Sequence, residues 1–194
     1  MARTQGSRAE ITGPLIRQAA LRLFARHGYA AVSMRQIARE VGVQAGALYA
    51  YTPDKQALLC DLMESHMARL LGSWHDDPAG PPLIRLERFV RFHIADSLDH
   101  SDAVFLSYME LRNLTDENHR KISSMRREYE KMLEVILRDG QQSGDIRVED
   151  TRLSAMALIG MLTAVTNWYR DGGRLDRDRI GDIYWGLARG AVGA

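Results

Sequence analysis

Ser33 to Lys55 reads S-M-R-Q-I-A-R-E-V-G-V-Q-A-G-A-L-Y-A-Y-T-P-D-K. Met34, Ile37, Ala38 and Val41 recur at i, i+3, i+4 and i+7, one apolar face of a short helix, and Ser33 stands at its N-cap. Gly42 follows the last periodic residue, where a left-handed backbone ends a helix. After that turn a second short helix is expected, with Leu48 inward, Tyr49, Tyr51 and Lys55 left over, and Pro53 as its stop. Two short helices joined by a glycine turn form the helix-turn-helix pattern.

Upstream, Ile16, Ala19, Ala20, Leu23 and Phe24 make an apolar stripe with Arg17, Arg22 and Arg26 outside it. The spacing predicts a helix from Thr12 to Gly28 and Tyr29. This helix would complete a three-helix core, because a helix pair alone cannot bury its apolar faces. Met1 to Ser7 reads as a polar, basic arm in which Arg3 and Arg8 are either DNA contacts or part of a frayed terminus.

In order, A-A-L-R-L-F-A-R-H-G-Y (19–29), S-M-R-Q-I-A-R-E-V-G-V (33–43), G-A-L-Y (46–49) and P-x-K-x-x-L-L (53–59) resemble the DNA-binding head of the TetR-type transcriptional regulators. Gln44, Tyr51 and Thr52 depart from the commonest pattern, where Ser or Thr, His and Phe are frequent. The resemblance implies an all-α chain of about nine helices, with a helix-turn-helix head over residues 1–55. A helical bundle over residues 56–194 would bind a ligand and dimerise.

Charge agrees with that division. Up to residue 55 there are eight Lys and Arg against three Asp and Glu, whereas the whole chain nets only +1. A basic head on an acidic body is expected when only the head meets phosphate. The single cysteine, Cys60, excludes an internal disulfide. With no apolar run after a basic start, it points to a reducing cytoplasm.

In the body, Leu58, Leu59, Leu62, Met63, His66, Met67 and Leu70 give a long helix from Asp54 to about Trp74 its inner face. D-D-P-A-G-P-P (76–82) is the clearest linker. Leu83–Leu98 reads as a helix with Leu86, Phe89, Val90, His93 and Ile94 inward. Val104, Phe105, Tyr108, Met109 and Leu111 suggest a short one ending near Asn113. Thr115 caps a further helix reaching Gln142, with a stripe of Ile122, Met125, Tyr129, Met132, Leu133 and Ile136, and with Asp116–Arg120 and Glu117–Lys121 at pairing distance. Leu153–Tyr169 contains no charged residue, yet its 17 positions are too few to span a membrane. Such a helix must be buried all round. With the last helix (Asp176 to Ala191; Ile180, Ile183, Tyr184, Leu187 and Ala188), it would form either a four-helix dimer interface, as the resemblance implies, or simply the body's centre.

A recognition helix enters the major groove with its N-terminal residues at base edges. Ala45, Gly46 and Ala47 would permit close approach, Gln44 suits adenine, and the Arg35 fork suits guanine. The resemblance assigns Ser33, Tyr49, Tyr51 and Lys55 to phosphates, with Tyr51 near a base; for Tyr49 the competing reading is packing. A two-fold dimer places two such helices about 34 Å apart on a palindromic operator.

The last third, from G-M-L-T-A-V-T-N-W-Y-R-D-G-G-R-L (160–175) onward, is similar to the C-terminal domains of regulators of fatty-acid and steroid catabolism that respond to acyl-CoA thioesters. Phe105, Met109, Met125, Tyr129, Met132, Met161, Asn167 and Trp168 are the candidates for a lipophilic pocket, or else plain core. Arg112, Arg126 and Arg170 are the candidates for a phosphate-bearing head group. No metal-ligand spacing, G-x-S-x-G or phosphate-cradling glycine loop appears, so neither an enzyme nor a cofactor is expected. The reading is a dimeric, ligand-responsive repressor of double-stranded operator DNA with no membrane partner; a TetR-type activator and a ligand carrier without DNA binding are the alternatives.

Overall fold

The structure, a computed structural model, describes residues 5–194, with side chains from residue 11 onward. Arg3 and the Arg8 side chain therefore lie outside the described residues. Among the described residues all regular structure is helical. In order come α1 (Gln5–His27), α2 (Met34–Val41), α3 (Ala45–Leu48), α4 (Lys55–Ser73), α5 (Pro82–Asp99), α6 (Ser101–Met109), a 3-10 turn at Leu111–Asn113, α7 (Asp116–Ser143), α8 (Thr151–Thr163), a 3-10 turn at Ala164–Asn167, and α9 (Arg177–Ala191). None of the described helices is long and apolar enough to cross a membrane.

The chain divides into two compact units. One holds Met1–Met67 with Asp102–Ile122; the other holds Ala68–Ser101 with Ser123–Ala194. In the first, α1 starts earlier than Thr12 and carries Pro14 within it, at the loss of one i→i−4 bond. Ile16, Ala19, Ala20 and Phe24 are buried with Val32, Ile37, Ala38 and Leu48 of the helix pair, while Leu23 is only half-buried. Leu58, Leu59, Leu62, Met63, His66 and Met67 form the inner face of α4, as its periodicity predicts. The short helix suggested by Val104 to Leu111 is α6 with the 3-10 turn that follows it. Val104, Leu106 and Ser107 are buried on it, whereas Tyr108 and Met109 are 39% and 53% exposed. An apolar run with little periodicity does not itself say which face turns in. Lys121 reaches across to Glu64 on α4, 2.7 Å away, instead of back to Glu117.

The second unit is built on α5, which packs on α8 and α9. Arg85, Phe89, His93 and Ser97 follow one another at i+4 spacing, and all four are buried. Phe89 meets Trp74 edge-on at 5.1 Å between centroids and lies 5.4 Å from Tyr129 of α7. The Arg85 guanidinium is 2% exposed and lies between two carboxylates: Nε donates to Asp76 at 2.9 Å and Nη1 to Asp139 at 2.6 Å. Those hydrogen bonds, Asp76 first, push its pKa up despite burial. The expected linker is thus tied down at its first aspartate. A second buried chain links Tyr129 to His93 Nδ1 and Thr163 to His93 Nε2, each at 2.9 Å. The Thr163 hydroxyl donates to the Ile159 carbonyl at 2.7 Å, so it accepts from Nε2–H, and Nδ1 accepts from the Tyr129 hydroxyl.

The uncharged stretch does not form one helix buried all round. α8 stops at Thr163, and only Ala155, Leu158, Ile159, Leu162 and Thr163 are buried on it. Leu153 is 63% exposed and Met156 44%; on α9, Ile183 and Leu187 are exposed while Ile180, Tyr184 and Ala188 are buried. One chain satisfies one face of each helix and leaves the other apolar face bare.

Candidate nucleic-acid interface

The geometry of the motif follows from its end residues. Ser33 is extended (φ −103°), and its hydroxyl accepts the Gln36 N–H at 3.3 Å while Gln36 Oε1 accepts the Ser33 N–H at 2.7 Å, a reciprocal capping box. Gly42 has φ 73°, and the Val43 N–H closes back on the Ala38 carbonyl at 3.0 Å. α3 begins after Gln44, whose side chain makes no capping bond. The chain then winds on through Tyr51 N–H to Leu48 O at 2.9 Å and Thr52 N–H to the same carbonyl at 3.1 Å. Asp54 caps α4 through Ala57 N–H at 2.8 Å. Ser33→Ala removes the hydroxyl and strands half of the box, so a loss of about 1 kcal/mol is expected. A urea titration would show it as a lower midpoint at unchanged slope.

Of the residues assigned to DNA, Ser33, Arg35, Gln44, Gly46, Ala47, Tyr49 and Tyr51 are exposed, and Ala45 and Lys55 are half-buried. Arg35, Gly46 and Ala47 lie within the two helices, Ser33, Gln44 and Tyr49 stand at their ends and Tyr51 just beyond, while Ile37, Ala38 and Leu48 form the buried sides. A methyl group built on Gly46 would meet nothing within 4 Å, so the head's own packing does not require a glycine there. Tyr51 leans on α1, its Cδ1 3.7 Å from where a Gly13 methyl would lie. Lys55 is not extended into solvent. Its ammonium stands 4.1 Å from the Tyr29 ring centroid, and burial lowers its pKa against the opposing pull of Glu110.

The effector candidates are divided between the two units. Phe105, Met109 and Arg112 belong to the unit that holds the motif; Met125, Arg126, Tyr129, Met132, Met161, Asn167, Trp168 and Arg170 belong to the other. Tyr129 is buried with its hydroxyl engaged by His93, and Trp168, 47% exposed, stacks on Tyr184 at 6.4 Å. Met125, Arg126, Met132 and Met161 are half-buried, and Arg112, Asn167 and Arg170 are exposed. A cleft of about 430 Å³ lies between α1 and the start of α4, beside the Arg17–Asp61 ion pair, and contains none of these residues. Sequence reasoning passed over Arg85, Thr163 and Glu110 as polar groups in buried positions. Three of the four residues in the 85–89–93–97 row are polar on an inward face, and that was the available signal.

A basic, exposed helix pair on a three-helix core is the architecture of a DNA-binding head. Residues 16–62 match the family described as bacterial regulatory proteins, tetR family, and residues 79–192 match the tetracyclin repressor-like C-terminal domain. The chain belongs to the TetR family and is a DNA-binding transcriptional regulator. Among its relatives is the HTH-type transcriptional repressor KstR2 of Mycobacterium tuberculosis, 25% identical over 99% of this chain and 98% of that one. A tetR-family regulatory protein from Rhodococcus RHA1 superposes with a TM-score of 0.88, at 27% identity over 93% of this chain and 96% of the other. AibR, solved with isovaleryl coenzyme A and operator DNA, superposes at 0.81, with 26% identity over 91% and 97% of the two chains.

Proposed function

We propose that this chain is a homodimeric repressor that binds a palindromic operator through residues 1–55 and is released by a lipophilic effector bound within residues 56–194, an acyl-CoA thioester being the class to test first. The observation that carries the DNA half is the exposure of Arg35, Gln44, Gly46, Ala47, Tyr49 and Tyr51 on a helix pair whose first member is fixed by a capping box. Support for the thioester comes from AibR, whose structure holds isovaleryl coenzyme A and operator DNA together. The bare apolar strips of α8 and α9 support the dimer. An effector acts here only through different affinities for the DNA-competent and DNA-incompetent dimer. The site of action is the cytoplasm, and no catalytic step belongs to this reading.

The test is a gel shift on DNA upstream of the protein's own coding sequence, across a salt series, with a panel of fatty acyl-CoA and sterol-derived CoA thioesters. Binding should weaken steeply with salt and be released by one thioester. Arg35→Ala should weaken binding about tenfold with an unchanged melting temperature, from the loss of a bidentate contact of about 1–3 kcal/mol. Unaltered affinity in that variant would remove Arg35 from the interface. Binding that no thioester releases would keep the regulator and discard the effector class.

A further inference from the structure

Tyr29 is held at its backbone, its ring and its hydroxyl. Gly28, with φ 82°, turns the chain after α1, and the Tyr29 ring falls edge-on against Phe24, 5.3 Å between centroids. Its backbone N–H donates to Glu110 Oε1 at 3.1 Å. Its hydroxyl accepts from Gln56 Nε2 at 2.9 Å. Burial is the main cause that raises its pKa.

The two partners are themselves fully engaged. Glu110, 7% exposed at the end of α6, accepts from Asn113 Nδ2 with its second oxygen. Gln56 also donates to the Asn113 carbonyl, at 2.5 Å, and its Oε1 accepts the Thr115 N–H at 3.1 Å. Residues 29, 56, 110, 113 and 115 therefore form one hydrogen-bonded clasp within a single compact unit. Lys55, one residue before Gln56, is half-buried with its ammonium 4.1 Å from the centroid of the Tyr29 ring, and it feels the Glu110 charge.

We propose that Tyr29, Gln56 and Glu110 are positioning residues for operator binding: they hold the Lys55 ammonium in place for a DNA phosphate. The proposal rests on reading Lys55 as a phosphate contact. A free lysine side chain loses rotamer entropy when a partner fixes it. A ring face that already restrains the ammonium reduces that loss, and a phosphate then takes up a charge that is already in place. Without Glu110 the Tyr29 N–H loses its acceptor, the ring is no longer held at its backbone, and Lys55 loses both the platform and the opposing carboxylate.

A double-mutant cycle separates this role from a merely structural one. Lys55→Ala, Glu110→Ala and Tyr29→Leu, and the last two each combined with Lys55→Ala, are titrated onto DNA from upstream of the protein's own coding sequence at several salt concentrations, with melting temperatures alongside. Tyr29→Leu keeps the backbone bond to Glu110 and serves if Glu110→Ala folds poorly. Lys55→Ala should weaken binding about fivefold to tenfold and reduce the salt slope by about 0.9. Glu110→Ala and Tyr29→Leu should each weaken binding about threefold to tenfold in the wild-type background and by less than about twofold when Lys55 is already alanine. Equal weakening in both backgrounds, or none in either, overturns the positioning role. Unchanged affinity in Lys55→Ala alone would instead overturn the phosphate reading on which the proposal stands.

Discussion

Arg85→Ala is expected to lower the free energy of unfolding by about 3 kcal/mol, the lower end of the range for breaking a buried ion pair. Arg85 is 2% exposed, but its partners keep some access to water, with side-chain exposures of 22% for Asp76 and 40% for Asp139. Removing the guanidinium takes its charge from both carboxylates and leaves Asp76, the more deeply buried of the two, with only the Asp77 N–H on Oδ1. The truncated side chain also opens space against α5, where Gly80 approaches the Arg85 Cγ position within 3.7 Å of its own absent methyl. Urea denaturation at fixed protein concentration is the measurement, since association adds concentration-dependent stability. Arg85→Met provides the comparison: it restores the apolar volume without the charge, and should recover part of the loss. A loss below about 1 kcal/mol in Arg85→Ala would mean that the two aspartates relax freely to solvent and that the cluster does not hold the 76–82 segment.

The second large effect is on assembly. Leu153→Glu combined with Leu187→Glu should convert the dimer to a monomer, read by analytical ultracentrifugation, and weaken operator binding by at least about a hundredfold. Leu153 and Leu187 are 63% and 53% exposed on α8 and α9, beside Met156 and Ile183, so neither substitution disturbs the core of the single chain. A glutamate in the middle of an apolar interface must lose its hydration without gaining a partner, and two such charges face their copies across a two-fold axis. Half-site binding by one head forfeits the second set of phosphate contacts, hence the loss of operator affinity. A double variant that remains dimeric would place the interface elsewhere on the chain.

The helix-turn-helix was legible because its signals are local. Ser33, the Met34–Ile37–Ala38–Val41 stripe, Gly42 and Pro53 each act on their immediate neighbours, and the capping box and the left-handed glycine stand where that grammar puts them. The stripes of α4 and α5 were equally readable, since a helical period of apolar residues has one sensible inward side. α6 was not. Helical periodicity is lacking in S-D-A-V-F-L-S-Y-M (101–109), and the burial of Val104, Leu106 and Ser107 with Tyr108 and Met109 left exposed depends on which neighbours reach it. The uncharged stretch was legible as to its need for burial but not its end: α8 stops at Thr163, and one chain covers one face, leaving the other for a second copy.

The sequence by itself determined the family, the helical periods, the basic head and the caps, because all of these are written in residues near one another along the chain. Tertiary structure alone decided that Lys55 rests on Tyr29, that Glu110 accepts the Tyr29 N–H from 81 residues away, and that Arg85 joins Asp76 to Asp139. A buried polar group shows its presence in the sequence only as an oddity on an apolar face. Its partner is chosen by packing, since any of several distant donors or acceptors would satisfy the same free-energy demand and only the folded backbone brings one of them within 3 Å.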